Sequence, residues 1–152
     1  MSKYREQLIE FLEKNSNNGQ NTIRVQLKRK RENFDSFEIH PIYKNAKIVA
    51  INVERRVMPV DTIFPVALFE YVIELLLKAD NFTLENGDAL KFKMGESGLH
   101  ERTIEYAVAN KFYGKNDRDS ADRRISVISN ILIASGLCES RPSSLDTIPQ
   151  SV

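Results

Sequence analysis

The chain has 152 residues, 41% of them hydrophobic and 28% charged, a balance that excludes a disordered polypeptide and suits one compact domain or two small lobes sharing a core. Its single cysteine, Cys138, excludes an intramolecular disulfide, and with only His40 and His100 beside it there is no Cys/His spacing of a zinc site. The net charge of +1 conceals a division: residues 1–60 carry 12 Lys/Arg against 7 Asp/Glu, or +5, and residues 61–152 carry 10 against 14, or −4.

No run approaches the ~18 consecutive apolar residues of a membrane span, and the first residues turn amphipathic without a signal-peptide core, so a soluble, cytoplasmic protein is expected. Tyr4, Leu8, Phe11 and Leu12 recur at helical spacing and predict a helix over residues 3–15, which the polar run from Asn15 to Asn21 ends. From Thr22 the period becomes two: Ile23, Val25 and Leu27 alternate with Arg24, Gln26 and Lys28, the pattern of a strand with one wet face. Residues 37–43 and 47–53 read as two further strands joined by a turn at Lys44, Asn45 and Ala46. Pro41 has no N–H to give to a ladder, which places its strand at an edge or at a bulge.

Residues 58–62 read as the turn between an N-terminal lobe, 1–60, and a helical C-terminal lobe, 61–152. Asp61 or Thr62 is positioned to cap a core helix from about Phe64 to Lys78, with Pro65 tolerated in its first turn. Residues 81–85 suit a short strand, Glu85 to Asp88 a tight turn, and Ala89 to Met94 a strand or extended loop. Ile104, Ala107, Val108 and Phe112 give the next helix, over 103–113, stopped at Gly114. The last predicted helix follows Asp119 or Ser120 as N-cap and closes at Gly136; Ile125, Ile128 and Leu132 share one side, while Asp122, Arg123, Ser126, Ser129 and Asn130 gather opposite. A short strand through Cys138 follows, where the thiol reads as a small buried apolar group rather than a nucleophile. Past Arg141 only Pro142, two serines, Leu145 and a polar tail remain.

Helix, short strand, helix, turn, helix, strand over residues 62–145 resembles the winged helix-turn-helix, with a short or missing wing. The resemblance implies an α+β fold in which an N-terminal helix and small antiparallel sheet pack on a winged-helix-like lobe, and it implies binding rather than catalysis. Arg123, Ser126 and Asn130, at i, i+3 and i+7, carry side chains able to address guanine, phosphate and adenine. An acidic C-terminal half would repel DNA, so phosphate anchoring is expected from Arg24 and the run Lys28, Arg29, Lys30 and Arg31. The same run also suits a solvated hairpin end that discourages edge pairing.

Two function classes follow: a non-catalytic DNA- or RNA-binding protein or subunit, and an adaptor whose winged-helix-like surface docks a protein. A third, a metal-dependent nuclease, would use Glu54 at the end of an apolar strand with a further carboxylate such as Asp35 or Glu38. No cofactor, metal or membrane partner is expected, no oligomeric state is specified, and no phosphate loop or serine elbow is present.

Overall fold

Apolar residues at positions 8 and 12, one turn apart, bury one side of α1 (Lys3–Lys14). The computed structural model describes residues 3–16, 21–27, 35–141 and 144–147. Four antiparallel strands follow in the order β1-β2-β3-β4: β1 (Ile23–Gln26), β2 (Ser36–Lys44), β3 (Lys47–Val53) and β4 (Ile63–Pro65). The alternation in β1 is real, with Ile23 and Val25 buried and Arg24 and Gln26 exposed. The β2–β3 hairpin turns at Asn45 and Ala46, both at positive φ (52° and 64°), the sign that a two-residue type I′ connection requires at both positions.

Pro41 lies in an interior strand, yet its missing N–H leaves nothing unpaired. Val53 donates to Thr62 on the β4 side, so its β2 partner Ile39 and, two residues on, Pro41 direct their backbone groups toward β1. The last β1 pairing is Ile23 with Ile39, so at Pro41 β1 has already ended. The register then shifts between Ile42 and Tyr43.

The helix expected from Phe64 begins later, as α2 (Val66–Lys78), because Ile63, Phe64 and Pro65 pair with β3 instead. Pro65 is the N-cap, without a side-chain cap, and the expected cap Thr62 bonds Asn52 through its hydroxyl. A three-residue strand is too short to carry a period, and its Phe-Pro sequence blends into the helix that follows. Beyond α2 come β5 (Thr83–Glu85), α3 (Ile104–Phe112), α4 (Ile125–Ala134), β6 (Cys138–Arg141) and β7 (Ser144–Thr147). Where the sequence offers a polar tail, β7 pairs antiparallel with both β5 and β6, giving a second sheet ordered β5-β7-β6.

The architecture is therefore α+β. α2 packs on α1 and β3, and α4 packs on β1 and β6. One hydrophobic core joins the sheet residues Phe37 and Ile51 to Phe69 and Val72 of α2 and Ile128 and Ile131 of α4. A small satellite core of Met94, Leu99 and Ala109, with Phe92 and Tyr106 against it, lies under the connections on either side of α3. Among the described residues, no helix is long and apolar enough to cross a membrane.

Candidate functional site

The predicted reading helix is apolar nearly all round, the signature of a helix enclosed in a core. Ile125, Val127, Ile128, Asn130, Ile131 and Leu132 are buried, and the half-exposed strip holds Ser126, Ser129 and also Ile133. Asn130, expected on the wet side, is 6% exposed and donates from Nδ2 to the Ser126 carbonyl at 2.6 Å. Its amide thus answers the helix backbone one turn back. Arg123 is exposed and precedes the helix, so of the proposed trio only Arg123 and Ser126 reach the surface.

Arg24 points outward from β1, but its guanidinium donates to the Ser36 hydroxyl (2.9 Å) and to Glu38 (2.7 Å), which offsets its charge locally. Lys28, Arg29, Lys30 and Arg31 lie outside the described residues. Glu54, the nuclease candidate, accepts the Glu38 N–H at 2.9 Å and pairs with Arg56 at 2.8 Å; its carboxylate holds the end of the β2–β3 ladder together. Glu38 itself faces Arg24, and among the described residues no three His, Cys, Asp or Glu side chains are grouped to hold a metal ion. His40 sits 3.2 Å from the Thr22 hydroxyl, His100 is 3.6 Å from Glu85, and Cys138 is buried in β6 as expected.

At the start of α4 the chain instead buries two charged residues that the sequence did not single out, Glu105 and Arg124. Neither Asp119 nor Ser120 caps that helix, because it begins six residues later than Asp119; the Asp119 carboxylate closes its own turn by accepting the Asn116 N–H at 2.7 Å. The N-cap is Arg124, whose side chain makes no cap, and Glu105 from α3 does the work. Both Glu105 oxygens lie 3.0 Å from the Arg124 N–H, and the Ile125 N–H also stabilises the carboxylate. These are amides that a helix start leaves unpaired. Glu105 is only 2% exposed, and burial pushes its carboxyl up to about 7 against the pull of those amides and of the Arg123 and Arg124 charges.

The Arg124 side chain is as deeply buried. Its guanidinium carbon stands 3.5 Å from the centre of the Tyr113 ring and 5.0 Å from that of Phe64, and Nη1 donates to the Asp61 carbonyl at 2.8 Å. Nη2 is enclosed with no hydrogen-bond partner; the carboxylates of Asp61 and Asp122 each stand 3.8 Å away. Tyr113 completes the seam by donating its hydroxyl to the Ile63 carbonyl, and burial keeps that phenol above its ordinary value, so it stays a donor. Arg124 and Tyr113 together cover the outer side of β4.

The connections 86–103 and 113–124 leave this anchor and pack on each other. Met94 donates to the Asp119 carbonyl and Arg118 to the Met94 carbonyl, a short two-way ladder between them, while Tyr106 reaches Asp117 at 2.7 Å. A Cβ at Gly98 would stand 2.1 Å from Cδ2 and Cε2 of Phe92, so any larger residue there would have to displace that ring. Residues 86–124 carry 8 Lys/Arg against 7 Asp/Glu, a mixed surface, and Leu90 stands 69% exposed upon it. Long connections with fixed structure commonly carry function.

No family model, curated protein or solved structure matches this chain.

Proposed function

We propose that this chain is a non-catalytic adaptor, in which a winged-helix-like C-terminal unit docks a protein partner through the paired connections 86–103 and 113–124. The observation that carries this reading is the burial of α4. A helix with only Ser126, Ser129 and Ile133 half-exposed beside Ala134 offers little to a DNA groove, whereas the paired connections present a fixed face of mixed charge around an exposed leucine. The winged-helix reading is supported by the succession α2, β5, α3, α4, β6, β7 and by the central place of β7 in its sheet. A second reading, DNA or RNA binding through phosphate contacts, is favoured by the +5 charge of residues 1–60 and by Lys28, Arg29, Lys30 and Arg31.

Photo-crosslinking residues placed singly at Leu90, Lys93 and, as a control on the exposed side of α1, Glu13 test the adaptor reading in cells that make the protein. One discrete crosslinked protein from Leu90 and Lys93 but not from Glu13 is the expected result. Equal labelling from all three sites overturns it. Submicromolar nucleic-acid binding at low salt, weakened and made less salt-dependent by combined Arg29→Ala, Lys30→Ala and Arg31→Ala, would establish the second reading instead.

A further inference from the structure

We propose that the outer face of the four-stranded sheet docks an acidic, aliphatic-bearing segment of a protein partner, on a surface separate from the paired connections 86–103 and 113–124. Strand pairing fixes which side chains share that face. Phe37, Ile39, Ile51 and Phe64 turn to the core, so the residues alternating with them turn outward. One outward row joins Ile42, Ala50 and Pro65 across β2, β3 and β4, and the next sets Ile63 opposite Asn52. An antiparallel sheet with one wet face ordinarily presents polar residues there. Here the wet face keeps an apolar row: Ile63 is 45% exposed, Ile42 and Pro65 are half-buried, and Ala50 lies between them.

At the hairpin end of the same face Lys44 stands directly opposite Lys47, and both are exposed. Like charges in that position cost stability. Among the described residues no ion pair answers either lysine, and residues 39–53 contain no Asp or Glu. At the far end the charges answer one another, Arg24 with Glu38 and Arg56 with Glu54. The unanswered charge of the face is therefore positive and borders its apolar row, an arrangement that receives carboxylates set beside aliphatic side chains. Asn52, whose Oδ1 accepts the Thr62 hydroxyl at 2.6 Å, leaves its amide nitrogen to meet a carbonyl of the same segment. A second copy stacked here would bring only carboxylates already paired with arginines. Nucleic acid would find no outward Phe, Tyr or Trp among the described residues of the sheet on which to stack a base, and an anionic membrane would also be held against Glu38 and Glu54.

The full chain, screened at low salt against random-sequence peptides displayed on phage, is expected to select peptides that combine Asp or Glu with Leu, Ile or Val. A labelled synthetic copy of the strongest is then titrated by fluorescence anisotropy. Lys44→Glu replaces a like-charged cross-strand pair by an opposite-charged one, so the denaturation midpoint should hold or rise while affinity falls roughly 5- to 10-fold, a loss that shrinks at high salt. Ile63→Ser should weaken binding about fivefold, and Leu90→Ser, on the paired connections, should leave it unchanged. Selection of basic peptides, or of none, overturns the proposal, as does a peptide whose affinity both sheet variants leave unchanged. Binding to phosphatidylserine vesicles or to oligothymidylate, or self-association in sedimentation, that is lost in both sheet variants while the peptide still binds overturns it in favour of that occupant.

Discussion

Arg124 does three jobs: its side chain stacks on Tyr113 and satisfies the Asp61 carbonyl, and its backbone begins α4 under the Glu105 carboxyl. Enclosing a guanidinium is costly unless its surroundings answer it, and here they do so incompletely, since Nη2 has only carboxylates at 3.8 Å. Truncation would nonetheless remove the ring contact and leave the Asp61 carbonyl unpaired. Arg124→Ala should therefore lower stability by roughly 2–4 kcal/mol in chemical denaturation, and Arg124→Lys should recover only a part, because a lysine cannot lie flat on the tyrosine while donating sideways. Arg123→Ala, one residue earlier and exposed, should change stability by less than about 0.5 kcal/mol.

At the level of elements, the β2–β3 turn offers a cleaner test. Asn45 tolerates positive φ, but Ala46 at 64° pays a steric cost that glycine would not. Ala46→Gly should raise stability by roughly 0.5–1 kcal/mol, the relief of strain exceeding glycine's extra entropy in the unfolded chain; an unchanged or lowered denaturation midpoint would contradict that turn geometry. Most elements were legible in the sequence because they carry a period. The alternation of β1, the helical spacing of α1 and α3 and the stop at Gly136 appear where expected, and α2 keeps its expected end at Lys78 while starting two residues late. That stop closes with Gly136 at φ 79°, its N–H on the Ile133 carbonyl and the Leu137 N–H on the Leu132 carbonyl, a Schellman motif. What was missed lacks local signal. β4 and β7 run for only three and four residues, and the true cap of α4 comes from Glu105, 19 residues before the amide it accepts. The polar strip of α4 misled for a related reason. A helical wheel records which side chains share a side, but Asn130 sits at its margin and folds onto the Ser126 carbonyl, a choice made by packing against neighbouring elements.

For the whole molecule, one core runs from Leu8 in α1 to Cys138 in β6, and the first and last helices are tied directly by Gln7, which donates to the Ser135 carbonyl at 2.9 Å. Denaturant unfolding monitored by far-ultraviolet circular dichroism and by tyrosine fluorescence should accordingly give coincident midpoints. Two separated transitions would mean that the sheet and the helical part hold their shapes independently.

The seam over β4 also sets a schedule for biosynthesis. The outer side of that strand is covered by Tyr113 and Arg124, and Arg124 lies 63 residues after the Asp61 carbonyl it binds. A ribosome adding about 5–20 residues each second makes the strand about 3–13 s before its cover. For that interval the nascent chain carries a hydrogen-bonding edge open to any passing strand. The brevity of β4, three residues with a proline at its end, limits what such a visitor can grip while the cover is still being made.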